Sequence, residues 1–191
     1  MEHLIKEHAL LHLGEHALSD ALITLFEKYD FDYSLVGDAD LNEALETLFT
    51  SNKENKPCES YPFDWILFYN IDHEKILSFY EEAEALGYLF DHKAVLTETN
   101  ASWTLRTCLE ENHKEHQLFV MYETLQDLLK EANAMNIEAF TKESFAPYRD
   151  AFIKAFMYVQ EEHLDMQVMH DLIDDVILAK MQLVFKDEVE A

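Results

Sequence analysis

Lys93-Ala-Val-Leu-Thr-Glu-Thr-Asn-Ala-Ser-Trp-Thr-Leu105, running on to Glu115-His116, holds in one stretch a strand, a turn and a helix start. Ala94, Val95 and Leu96 form the short apolar run that a covered strand needs. Thr97, Thr99 and Asn100 follow, residue types whose side chains satisfy open backbone N–H groups in turns and caps. Trp103 is expected about one turn into a helix that carries Leu105, Cys108, Leu109 and Asn112, where its indole would staple the helix to the strand. The same residues allow a second reading. Lys93, Thr97, Thr99 and Asn100 could hold a small polar ligand at a helix N-terminus, where exposed N–H groups favour anions.

Upstream, Trp65 to Tyr69 reads as a strand, and Glu74 to Leu86 as a helix closed by Gly87. His92 to Leu96 is the strand that enters the turn. The same order occurs earlier. Ala9 to Leu13 reads as a strand, Leu18 to Tyr29 as a helix and Tyr33 to Val36 as a second strand. Asp38 or Asp40 would cap a helix carrying Leu41, Ala44, Leu45 and Leu48. Ser51 to Pro62 is a polar loop, and Glu15-His16 and Asp72-His73 stand 57 positions apart. A strand-helix-strand-helix unit used twice accounts for this order. Each copy alone would leave an apolar sheet face open, so the two should share one sheet. The expected fold is α+β, a pseudo-two-fold ferredoxin-like sandwich over residues 1–118, with C-terminal helices beyond it. A fully parallel, doubly wound α/β sheet is the alternative.

Lys93-Ala-Val-Leu-Thr-Glu-Thr-Asn100, then Trp103, then Glu115-His116, resembles the C-terminal signature of the bacterial domain-of-unknown-function family 3783. Trp65-Ile-Leu-Phe-Tyr-Asn70 and the helix after it fit the same pattern. The resemblance covers about residues 9–118 and is specific over 65–118. It implies kinship, and it carries no activity, cofactor or site residue with it.

Residues 119–191 lie outside the resemblance and read as a helical extension. Tyr122, Leu125, Leu128, Leu129 and Ala132 make one stripe, and Phe145, Tyr148, Phe152, Phe156 and Val159 an aromatic second. Met169, Leu172, Ile173, Val176, Ile177, Leu183 and Val184 make a third. Three stripes exceed what a tail needs. They are expected to cover the sheet, or to pair with another chain as a homodimer or a protein partner.

Composition narrows the function classes. With 49% hydrophobic residues among 191, the chain is a folded globular protein. Only 3 Gly and 3 Pro favour long helices over a turn-rich all-β fold. The net charge is −25: −16 over residues 1–118 and −9 over the remainder. Neither part suits a phosphate backbone or an anionic membrane, so no nucleic-acid or membrane partner is expected. Cys58 and Cys108 are too few for a disulfide framework. The first eight residues lack the pattern of a signal peptide, and no apolar run approaches the ~20 residues needed to span a bilayer. A cytoplasmic location is expected.

Ten histidines raise a metal question. His12-Leu-Gly-Glu-His16 matches the H-x-x-E-H pattern of some zinc peptidases, which needs both rings on one helix face. Gly14 and its apolar neighbours point to a strand and a turn there, so the pattern loses its context. Glu110, His113 and His116 recur at i, i+3, i+6, a spacing that can bring a carboxylate and imidazoles onto adjoining turns around a divalent metal. Their other reading is electrostatic, as protonated histidines near a helix C-terminus offset its dipole. Glu162, His163, Asp165 and His170 have the wrong spacing for a second metal set. No Ser-His-Asp order, phosphate loop, Cys-x-x-Cys pair or nucleotide fingerprint occurs. The leading expectation is therefore a binding or interaction module without catalysis and without a cofactor. The alternatives are a metal-dependent enzyme using Glu110, His113 and His116, and a polar-ligand site at Lys93, Thr97, Thr99 and Asn100.

Overall fold

The computed structural model describes residues 6–49, 54, 56–57, 59–161 and 163–186. Residues 1–5, Cys58 and Glu162 lie outside them. The chain divides into two compact units, Met1–Lys114 and Glu115–Ala191.

The first unit is built on four strands, β1 (His8–His12), β2 (Asp32–Leu35), β3 (Trp65–Tyr69) and β4 (His92–Val95). They lie in the order β2-β1-β3-β4. β1 runs parallel to β2, β3 runs parallel to β4, and β1 meets β3 antiparallel, with His8 opposite Tyr69 and His12 opposite Trp65. The class is thus α+β, and the antiparallel centre excludes a fully parallel, doubly wound sheet.

Two helices connect the parallel pairs. Ser19 caps α1 (Asp20–Lys28) by accepting from the Leu22 N–H, and Asp72 caps α2 (His73–Ala85) by accepting from the Glu74 N–H. Each cap meets one of the N–H groups that a helix start leaves open. Strand alternation sends odd positions of β1 and even positions of β3 to the helix side. There Ala9, Leu11, Ile66 and Phe68 pack with Leu22, Phe26, Ile76 and Phe79. Phe26, Phe68 and Phe79 are fully buried. At about 25 cal/mol per Å² of apolar surface, such rings are among the largest single contributors to the core.

The opposite face is covered by segments the sequence reading placed differently. Leu10, Trp65 and Leu67 pack there with Leu41, Leu45, Ala101, Leu105 and Leu109. The single helix expected over Asp38 to Leu48 is instead two short 3-10 turns, Asp38–Asp40 and Leu45–Thr47. Trp103 does not lie one turn into a helix, because α3 (Leu105–Ala134) begins two residues after it. One cause explains both corrections. The Leu45 N–H donates to the Trp103 carbonyl at 2.9 Å, and the Leu105 N–H to the Glu43 carbonyl at 3.0 Å. Glu46 N–H reaches the Ala101 carbonyl and Arg106 N–H the Leu41 carbonyl, at 3.1 and 3.0 Å. Backbone groups that would have closed a helix are thus paired across the two turns. Residues up to Leu109 thus pack on both faces of the sheet.

In the second unit, the later part of α3 packs with α4 (Lys142–Tyr158) and α5 (Met166–Met181). Leu125, Leu129, Tyr148, Leu172 and Val176, drawn from the three stripes seen in the sequence, form its core together with Ala155. Thr141 and Asp165 cap α4 and α5. Among the described residues, no helix is long and apolar enough to cross a membrane.

Candidate functional site

The turn after β4 is tied by its own side chains. Asn100 Oδ1 accepts from the Thr97 N–H at 2.7 Å, and its Nδ2 donates to the Val95 carbonyl at 3.0 Å. The Asn100 N–H in turn reaches Thr97 Oγ1 at 3.4 Å. Both ends of the amide thus serve the turn. Lys93, two residues before Val95 on the same strand face, points to the helix side of the sheet, and its Nζ lies 5.0 Å from the ring centre of Tyr80. Burial pushes the Tyr80 phenol well above its ordinary range. The turn after β2 has the same lock, with the Gly37 N–H donating to Asp40 at 2.9 Å and Lys56 pairing with that carboxylate.

Glu110 and His113 go to different partners. Glu110 accepts from the Tyr61 hydroxyl at 3.1 Å. Burial first, and the Glu110 carboxylate second, push that phenol up. His113 Nδ1 lies 3.0 Å from Nε2 of the buried His92, and both rings stack on Phe63, at 3.9 Å for His92 and 5.1 Å for His113. An N–H···N bond holds one proton between two imidazoles, so at least one of the pair is neutral while it lasts. Beside them the Trp65 indole N–H donates to Asn112 at 2.7 Å. His116, one turn further along α3, belongs to the second unit. Among the described residues, no three His, Cys, Asp or Glu side chains come together to hold a metal ion.

Two histidine environments escaped the sequence reading. Asp64 is buried, and it accepts from the Glu15 and His16 N–H groups and from His16 Nδ1, the last at 2.5 Å. The His16 side chain is 45% exposed, so a buried carboxylate orients an imidazole whose other nitrogen can reach solvent. His12 is fully buried and donates from Nε2 to the Tyr61 carbonyl at 3.0 Å, while among the described residues its Nδ1 makes no hydrogen bond of good geometry. Burial lowers its pKa, against the opposing pull of the Tyr61 carbonyl, Asp38 and Asp64. The strand setting of His12 removes the helix that a zinc-peptidase pair requires.

Cavities also open in the second unit. One, of about 420 Å³, is lined by His116, Gln117, Val120 and Met121 of α3 and by Met166, Gln167 and His170 of α5. It brings together His116 and His170, which are 54 positions apart in the chain. Another, of about 270 Å³, lies between α3 and α4 and is lined by Ala132, Asn133, Ile137, Phe145, Tyr148, Arg149, Phe152 and Ile153.

Many of these features fall within the stretch that is similar to known sequences. Residues 64–119 match the family model of a domain of unknown function, DUF3783. The match takes in β3, α2, β4, the turn at Asn100 and the start of α3, which includes the His92–His113 pair. It leaves β1, β2, α4 and α5 outside. No curated protein and no solved structure matches the chain.

Proposed function

We propose that the chain is a non-enzymatic cytoplasmic module whose helical unit binds another protein, with the α/β unit as its scaffold. The observation that carries this reading is a concentration of exposed apolar surface. Twelve of the sixteen exposed large apolar side chains among the described residues fall in residues 115–191, with Met157 at 66% and Met181 at 77%. A monomeric surface scatters such residues, and their gathering in one region marks an interaction site. The polar features of the α/β unit have internal uses. Asn100 locks its turn, Glu110 holds Tyr61 and His113 holds His92. The matched hydrogen bonds of the two halves support a duplicated strand-helix-strand-turn unit behind that scaffold.

The experiment is size analysis of the chain in an extract of its own cells, beside the purified protein. The purified chain should run near its 22.4 kDa mass, and the chain in extract in a larger, protein-containing complex. A chain that runs as a 22.4 kDa monomer in fresh extract at native abundance overturns the reading.

A further inference from the structure

We infer that the groove between α3 and α4 receives one helix of a partner protein, amphipathic and basic on its polar face. The inference rests on the protein-binding reading above and names its surface and partner chemistry. Ile153, Phe156 and Met157 recur at i, i+3, i+4 on α4, all exposed, and Phe152 stacks on Phe156 at 6.2 Å. On α3, Phe119, Tyr122, Gln126 and Asn133 recur at i, i+3, i+7, i+14 and so share one face. Asn133 and Ile153 both line the 270 Å³ cavity, which therefore lies between these two faces. That volume suits one large apolar side chain, the anchor that a docked helix inserts.

Charge selects the occupant. Glu138 beside Ile137 and Glu161 just past α4 make no ion pair among the described residues, and Glu123 on α3 has only the field of Lys130, which already pairs with Asp127. Of the bases nearby, Lys130 pairs with Asp127 and Arg149 with Asp150, each at 2.8 Å, and Lys154 with Asp175 at 3.2 Å. A second copy of a chain carrying −25 would bring like charges together there, whereas lysines or arginines flanking an apolar stripe would meet acids.

The test uses the full chain and two synthetic helices of about 18 residues, one with a leucine face and a lysine face, the other with glutamate replacing lysine. Fluorescence anisotropy should show saturable binding of the lysine helix only, weakening as salt rises. Phe156→Asp should weaken it about tenfold or more. Glu123→Lys/Glu161→Lys, which leaves the apolar floor intact, should weaken it and flatten the salt dependence, while Leu77→Asp on α2 should change nothing. Circular dichroism confirms that each variant is folded. Equal binding of the glutamate helix, or unchanged binding to Phe156→Asp, overturns the inference. So does a dimer in sedimentation that Phe156→Asp disperses, since it assigns the groove to a second copy. If the complex in extract survives Phe156→Asp while the lysine helix fails to bind, the protein-binding reading stands and the groove assignment falls.

Discussion

Asp30 and Gly87 stand 57 positions apart and hold the same left-handed turn at the ends of α1 and α2, with φ of 54° and 92°. Beside them, the Phe31 N–H donates to the Phe26 carbonyl at 3.1 Å and the Tyr88 N–H to the Ala83 carbonyl at 2.9 Å. The geometry is shared but the residue is not, and glycine takes this conformation without a Cβ penalty. Gly87→Ala is therefore expected to cost about 1 kcal/mol, because no atom lies within 4 Å of an added Cβ and only the backbone term remains. Asp30→Gly should be neutral or stabilising by up to about 1 kcal/mol. Urea unfolding of both variants measures this, and a stable Gly87→Ala would show that the turn relaxes.

Gly14 is required for a different reason. A Cβ there would meet the Tyr61 carbonyl oxygen at 2.2 Å and the Phe63 nitrogen at 2.6 Å, both rigid backbone atoms. Gly14→Ala should destabilise by about 2 kcal/mol or more, beyond the Gly87 variant, since β1 or the segment entering β3 must shift. Thermal melts of the two variants side by side give the order.

His12 makes the fold acid-sensitive. Burial holds its folded-state pKa below the ordinary 6.5, so the unfolded chain binds more protons in the interval between the two values. Stability should therefore fall as pH drops through about 6.5, and this contribution should level off below the folded-state value. His12→Leu should lose less stability than the native chain between pH 7 and pH 5. Parallel slopes for the two proteins would count against this.

Asn100 serves the turn through both its oxygen and its nitrogen. Asn100→Ala should cost about 1 kcal/mol, and Asn100→Asp less, because the acceptor for the Thr97 N–H survives. Asp40 already performs that duty in the first half. Denaturant midpoints decide the order, and an Asp variant as weak as the Ala one would assign the main role to the bond with Val95.

The elements were legible because their signals are local. Ser19 and Asp72 precede the helices they cap, Gly87 closes α2, and the apolar runs at Trp65 and Ala94 lie in strands. The stretch from Asp38 to Leu48 misled, since it has the apolar spacing of a helix while its backbone bonds go to residues 101–106. Trp103 misled for the same reason, as the Leu45 N–H takes its carbonyl. The site residues were partly legible. Thr97 and Asn100 act in the turn, as their residue types suggest, but nothing near Glu110 or His113 announces Tyr61 or His92 as a partner.

Sequence alone settled what depends on neighbours in the chain: the helices α1 and α2 with the Gly87 stop, the apolar stripes, the acidic balance and the kinship of residues 64–119. Tertiary structure alone decided the strand order, the cover of the second sheet face and the partners of His16 and His113. His16 finds Asp64 across 48 positions and His113 finds His92 across 21. Such pairings follow from where the sheet brings distant segments together, and no local spacing records them.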